Sequence, residues 1–335
     1  MNPLAQTFNF RKYSLILIIP LSLIILMLWI AEWYFEPLEG DLTRIGHLPE
    51  KDFGWNQPQP LVPEARLKSD ALTDADVFVI GDSFSGNMLW QSRLRSMNLK
   101  HSDIHWDQLK PCENIGDALR HAGFKGRYVV IESIERAFQE RMRSLCKKHD
   151  DIEVKIYTLP SPPVTRTHSL MSSIKNPIGG EWMLKALINK IKLAYLRQSD
   201  DFFIFDDARV VAMDGCRLFT NKLCNYGLFF NDDFKKPLFD SINNVLTINS
   251  SLLKVGIQPL WLIVPDKSTV YLNENPSITI WNTLAQYPEL SAPNLSELFI
   301  RQSKLIKDFY KPNDTHLSVN GFLYLGDIVA ERLQR

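Results

Sequence analysis

Val77-Phe78-Val79-Ile80-Gly81-Asp82-Ser83-Phe84-Ser85 is the stretch on which the fold turns. The residues before Gly81 form an unbroken apolar run, rich in β-branched and aromatic side chains and short. Such a run reads as a strand covered on both faces, as in a parallel sheet. A tight Gly-Asp-Ser turn follows, and helical spacing resumes at once, over about Ser85 to Met97. A strand that turns straight into a helix sets the turn at the carboxyl edge of the sheet, where open α/β folds bind ligands. The first N–H groups of that helix lack partners, and its dipole end is positive. Ser83 is therefore a candidate nucleophile, and its own backbone N–H is a candidate oxyanion donor. Asp82 and Ser83 are also the residue types that cap helices, so the turn alone leaves both readings open.

On either side of this stretch the pattern repeats. Tyr128–Glu132 and Pro259–Val264 read as two more buried strands. Residues 133–149, 237–255 and 295–309 have helical spacing, and a last helix runs from about Asn320 to Leu333. Strands alternating with helices predict an α/β fold, a three-layer sandwich around a parallel sheet. Residues 155–235 are broken by Pro160, Pro162, Pro163, Pro177 and Gly179-Gly180. They read as an irregular insertion, a lid or substrate-facing subdomain. Residues 32–70 are rich in proline and charge and read as a stalk and lead-in, which sets the main domain at 71–335.

At the other end, Tyr13 to Ala31 carries no charge and is long enough, as a helix, to cross a bilayer. Trp29, Trp33 and Tyr34 sit where an interfacial aromatic belt would lie. Arg11 and Lys12 precede the run, and Glu32, Glu36, Glu39 and Asp41 follow it. The positive-inside bias then predicts a cytoplasmic tail at 1–12, a span at 13–31 and everything beyond it outside. A cleaved signal peptide is the alternative, but Trp29-Ile30-Ala31 lacks a small-x-small cleavage site. Pro20 within the run need only kink a membrane helix.

Charge and cysteine content exclude several classes. Lys plus Arg equals Asp plus Glu, 38 against 38, so no global field favours nucleic acid. There is no Walker loop, dinucleotide fingerprint or HExxH, and neither a metal nor a cofactor is expected. Cys216 and Cys224 lie near each other in MDGCRLFTNKLCNYG, without the CxxC pairs of a zinc site. In an oxidising compartment a disulfide between them is the favoured reading. Whether Cys112 pairs with Cys146 stays open.

A second chemical signal is Asn313-Asp314-Thr315-His316-Leu317-Ser318-Val319-Asn320-Gly321. A serine hydroxyl needs a base, and the base needs a carboxylate to hold its tautomer. Asp314 and His316 can supply both from one loop before the last helix. Taken alone, they could equally be a capping Asp beside a surface His. His47, His101, His105, His121, His149 and His168 have no such neighbours and are expected on the surface.

GDSFS early in the domain together with DTHLSVNG before the last helix resembles the first and last blocks of the SGNH/GDSL hydrolase superfamily. The resemblance implies a three-layer flavodoxin-like sandwich and acyl transfer by Ser83, His316 and Asp314. Val264-Pro265-Asp266-Lys267-Ser268-Thr269-Val270-Tyr271 and Glu132-Ser133-Ile134-Glu135-Arg136 are similar to segments of its membrane-anchored, alginate O-acetyltransferase-like members. That likeness implies an O-acetyltransferase acting on an exported or cell-surface polysaccharide through an acyl-serine. The domain would lie in the periplasm, anchored in the inner membrane, and a multispanning acyltransferase would deliver the acetyl group. An esterase or deacetylase of the same fold, and an inactive glycan-binding scaffold, are the alternatives. The pattern departs from the family in places. The DTH block follows the serine, unlike in the alginate enzymes, and the position three before the His is Asn313. No GxND follows the third strand, and Asn114 and Gly116 are the nearest candidates for the glycine-bearing block. Asp82, Asn114, Gly116, Arg136, Lys267 and Tyr271 are the candidate substrate or oxyanion contacts, although Arg136 beside Glu135 also suits a structural ion pair.

Overall fold

The computed structural model describes residues 10–35, 39–55, 57–109, 111–143, 180–195, 202–235, 239–272 and 278–334. In chain order the helices are α1 Phe10–Phe35, α2 Asp41–Ile45, α3 Glu50–Phe53, α4 Ser83–Gly86, α5 Gln91–Ser96, α6 Ile115–His121, α7 Glu135–Arg143, α8 Gly180–Tyr195, α9 Ile242–Lys254, α10 Lys267–Tyr271, α11 Ile278–Ala285, α12 Leu295–Gln302 and α13 Val319–Gln334. The strands are β1 Val77–Gly81, β2 His101–His105, β3 Tyr128–Ile134, β4 Phe202–Phe205, β5 Ala208–Ala212, β6 Tyr226–Phe230 and β7 Gln258–Val264.

The apolar run of the sequence becomes β1, with every residue buried. It pairs in parallel with β2 on one side and β3 on the other, and β3 pairs in parallel with β7. The order β2-β1-β3-β7 is that of a doubly wound sheet, in which the chain turns outward after β1 and crosses back to β3. The crevice at the carboxyl ends of β1 and β3 is the switch point, and Ser83 stands there. Full burial of β1 means that side chains cover both sheet faces, among them Phe124, Phe138, Trp261 and Phe322 of the main core.

β2 is a strand that sequence reading passes over, because His101-Ser102-Asp103 looks polar. The surface expectation for His101 is wrong. Its ring is buried, and its Nδ1 lies 2.5 Å from Asp103 Oδ2, while Gln91 Nε2 donates to Asp103 Oδ1 at 2.9 Å. The single helix expected over 85–97 is two, α4 and α5. Asn87 Oδ1 accepts from the Leu89 amide at 3.0 Å, a local turn that competes with the helix, and Met88 has φ 56°. His149 and His168 lie outside the described residues.

Among the described residues, one helix is long and apolar enough to cross a membrane. Its Tyr13–Ile30 segment is wholly unburied, within the expected span of 13–31, and contains Pro20.

The region read as a stalk is not a free linker from residue 41 onward. Leu42, Leu48 and Phe53 are fully buried in a second, smaller core with Leu193 of α8 and Phe205, Ala208, Val210 and Leu228 of the β-meander. That meander, β4-β5-β6, is antiparallel and lies in the stretch read as irregular. Of that stretch, 155–179 lies outside the described residues. Polar groups complete the union: Asn189 Nδ2 donates to Gly46 O at 3.0 Å, Trp182 Nε1 donates to Arg44 O at 3.1 Å, and Lys190 pairs with the buried Asp52.

Cys216 and Cys224 are joined by a disulfide between β5 and β6. Cys112 is also disulfide-bonded, and Cys146 lies outside the described residues. Closing so short a loop stabilises by about 2–3 kcal/mol in the chain-entropy picture. Non-reducing peptide mapping is expected to recover the two cysteine peptides of 216 and 224 as one linked species. Two free thiols would refute the link.

Candidate active site

The candidate catalytic elements meet above β1. Ser83 opens α4 and is exposed, whereas Phe84 and Ser85 behind it are buried. Its backbone N–H has no partner among the described residues, as expected for the first residue of a helix. Ser83 Oγ lies 2.8 Å from His316 Nε2, and His316 Nδ1 lies 2.7 Å from Asp314 Oδ1. Residues 233 positions apart in the chain thus form one hydrogen-bonded line from hydroxyl to imidazole to carboxylate, the arrangement of a serine nucleophile with its base and acid. The His316 amide also donates to Asp314 Oδ1 at 3.0 Å, so the short Asp-Thr-His spacing lets one carboxylate fix both backbone and ring. The ring of Phe84 packs against the imidazole at 4.8 Å between centroids.

Burial by itself would lower the pKa of His316. The Asp314 hydrogen bond and the nearby Asp41 carboxylate outweigh it and raise the pKa to about 9. For Asp314, burial pushes upward, but the hydrogen bond from His316 and the charge of Lys311 hold the carboxyl well below its usual range. Ligand atoms of Asp41, Asp314 and His316 all lie within 4.8 Å of one another. With Nδ1 hydrogen-bonded to Asp314, that grouping suits proton handling better than coordination.

The elbow carrying Ser83 is held from below. Asp82 Oδ1 accepts from the Phe84 amide at 2.9 Å, and Oδ2 accepts from the Ile134 amide at 2.9 Å and from Arg141 Nη1 at 2.5 Å. Burial works against the Asp82 carboxylate, but Arg141 and the two amides hold its pKa below normal. Asp82 is thus a cap and an anchor, turned toward β3 and α7. Glu132, at the level of the elbow on β3, accepts from the Asp82 amide at 2.9 Å and from Ser85 Oγ at 2.8 Å. Burial, reinforced by the charge of Asp82, drives its pKa well up and favours its protonated form. Its Oε1 has no partner among the described residues.

The other sequence candidates are held by partners of their own. Arg136 Nη1 is 2.6 Å from Asp266 Oδ1 and 3.3 Å from Asp233 Oδ1, not paired with Glu135. Glu135 Oε2 instead accepts from the Asp266 amide at 2.8 Å and from Thr269 Oγ1 at 2.7 Å. Lys267 is buried beneath the catalytic loop. Its Nζ donates to the carbonyls of Lys311, Pro312 and Asp314 at 2.9, 2.8 and 3.3 Å. Burial drops its pKa to about 7, against the pull of neighbouring carboxylates. Lys267 therefore shapes the loop that carries Asp314. Tyr271 is partly buried against the main core, and its hydroxyl accepts from the Tyr310 amide at 3.1 Å. Gly116 lies in α6 against α9, where a Cβ would come within 2.2 Å of Ser251 O, so a helix contact explains it. Asn114 precedes the same helix without capping it through its side chain. Arg136 and Lys267 follow strand ends in sequence, and packing ties both to carboxylates or carbonyls of neighbouring segments.

Sequence reading missed Asp41, whose Oδ2 is 3.4 Å from His316 Nδ1. It also missed Glu132 and Arg141, the supports of the elbow. An acid within an otherwise apolar strand was the available signal for Glu132, whereas nothing local marks Asp41. No protein-family model, curated protein or solved structure matches the chain.

Proposed function

We propose that this chain is an SGNH-type O-acetyltransferase that modifies an exported or cell-surface polysaccharide through an acetyl-Ser83 intermediate. The observation that carries the acyl chemistry is the hydrogen-bonded line Ser83–His316–Asp314 at the switch point of a doubly wound sheet. The sheet order and the strand–turn–helix at Ser83 accord with an SGNH sandwich. The transferase reading draws on the resemblance of the GDSFS and DTHLSVNG blocks to glycan acetyltransferases, and on an apolar helix able to tether the domain to a membrane. In this reading residues 1–12 are cytoplasmic and the domain lies in the periplasm. A multispanning membrane acyltransferase brings the acetyl group from the cytoplasmic side.

His316 Nε2 takes the Ser83 proton as Oγ attacks the acetyl carbonyl carbon. The carbonyl π electrons move to oxygen, and the Ser83 N–H faces that oxyanion. Collapse expels the donor oxygen, which recovers the proton from His316 and leaves acetyl-Ser83. A sugar hydroxyl then passes its proton to His316 and attacks the ester. The second collapse returns the proton to Ser83 and releases the acetylated sugar. Asp314 holds the Nδ1–H throughout and offsets the imidazolium charge.

Ser83 is exposed, so water also reaches an acyl-serine, and this favours the esterase as the second reading. The test uses full-length protein in nanodiscs with an activated aryl acetate and an oligosaccharide of the native glycan. Slow acetate release, diverted by the oligosaccharide into a sugar heavier by one acetyl, is the expected result. Rapid deacetylation of a pre-acetylated oligosaccharide, with no sugar product from the donor, would make the protein an esterase.

A further inference from the structure

His316 faces two carboxylates, and the second comes from the segment that leaves the apolar N-terminal helix. Asp41 Oδ2 stands 3.4 Å from Nδ1, the nitrogen that Asp314 Oδ1 meets at 2.7 Å. Asp41 is only six positions beyond Phe35, the last residue of α1.

That placement is built. A Cβ on Gly40 would come within 2.0 Å of Asn313 O, so only glycine lets the entering chain lie against the catalytic loop. The amides of Leu42 and Thr43 donate to Asn313 O at 3.0 and 3.4 Å. Glu50 ties the two segments together. Its Oε1 accepts from Asn313 Nδ2, and its Oε2 accepts from Thr43 Oγ1 at 2.6 Å. Asn313, directly before Asp314, thus serves as the seat for the entry segment.

The charged and polar groups around the imidazole are few. Asp314 and Asp41 face Nδ1, with Thr315 Oγ1 at 3.4 Å, and Ser83 Oγ faces Nε2. Arg44 pairs with Asp41 across one helical turn, Lys311 lies 3.6 Å from Asp314 Oδ2, and Lys267 Nζ touches the Asp314 carbonyl from behind. Among the described residues, the charged groups that meet Nδ1 are both anionic, and the three cations stand behind them.

We propose that Asp41 is a positioning residue for catalysis, a second acid that stabilises the imidazolium formed when His316 accepts the Ser83 proton. Asp314 keeps the Nδ1–H bond, and Asp41 supplies field without taking a proton. The entry segment is thereby part of the active site, and the base strength of His316 is set partly by the residues nearest the apolar helix. The proposal rests on the serine–histidine reading of the site and is independent of the acceptor.

The test is the pH dependence of kcat/KM for aryl acetate hydrolysis by the full-length protein. General-base action requires neutral His316, so activity is expected to rise with pH through a midpoint near 9. Asp41→Asn removes one charge at close range, and the midpoint is expected to fall by about one pH unit. The plateau above it is expected to fall about tenfold. Asp41→Glu is expected to restore the midpoint. Arg44→Gln, at an exposed position, is expected to move the midpoint the other way by unmasking Asp41. A purely structural Asp41 would lower the plateau or the melting temperature in Asp41→Asn and leave both midpoints in place, and that result overturns the proposal. Should Asp41→Asn fold poorly, the Arg44→Gln midpoint decides: no upward shift refutes the coupling. Survival of activity in Ser83→Ala would instead sink the triad reading itself, whatever the midpoints do.

Discussion

Ser83→Ala is expected to cut aryl acetate turnover by about 10⁴–10⁶-fold. Among the described residues, no other hydroxyl meets His316 Nε2. Ser85 Oγ, next on the same turn, is buried and donates to Glu132. His316→Ala is expected to fall in the same range, because the Ser83 proton then has no acceptor within 2.8 Å. Residues that act as one unit are not additive, so the double replacement is expected to be little worse than either single one. Asp314→Asn is expected to cost about 10³-fold or more, since the amide cannot anchor the Nδ1–H tautomer in the same way. Circular dichroism and denaturant midpoints should stay near wild type for Ser83→Ala, whose side chain is exposed. Wild-type turnover in Ser83→Ala would remove the nucleophile assignment.

The second large effect is on stability. Arg136→Ala is expected to destabilise the domain by about 3–5 kcal/mol, read as a fall in the urea midpoint at constant slope. Arg136 is the cation between Asp266 and Asp233, whose side chains are 2% and 0% exposed. Even with the guanidinium present, burial pushes the Asp233 carboxyl up to about 6. Burial and the charge of Asp233 likewise drive Asp266 well above its normal value. Without Arg136, two buried carboxyls must either stay charged and unpaired or take up protons. Combining Arg136→Ala with Asp233→Asn and Asp266→Asn is expected to recover part of the loss, because the repulsion disappears. An Arg136→Ala midpoint within about 0.5 kcal/mol of wild type would show that the triad contributes no net stability.

The parts legible in the sequence were those whose physics is local. β1, β3 and β7 are continuous apolar runs, α13 follows an apolar 3.6-residue period, and the apolar N-terminal helix is marked by absence of charge. Ser83, Asp314 and His316 were legible because the turn, the short spacing and the helix starts all belong to short segments. What stayed hidden depends on partners far away in sequence. Thr43, Glu50 and Asp52 look like stalk residues, yet they are buried, because Asn313 and Lys190 satisfy them. Phe202–Phe205 and Ala208–Ala212 are short strands among turn residues, so proline-rich surroundings masked a meander. Lys267 and Arg136 follow strand ends, which suggests ligand contact. Only packing reveals that carbonyls and carboxylates already occupy them.

The short run from Phe35 to Asp41 has a consequence for how substrates are found. Six residues reach at most about 22 Å when fully extended. With α1 held in a bilayer, as proposed, Ser83 is confined to a shell of about that depth parallel to the membrane plane. Encounters with anything resident in the same leaflet become a two-dimensional search, with an effective concentration set by that short reach. A soluble acceptor gains nothing from that geometry and must be brought to the shell; under the proposed function, a growing glycan would be modified as it emerges near the membrane and escape once its new end has moved beyond reach.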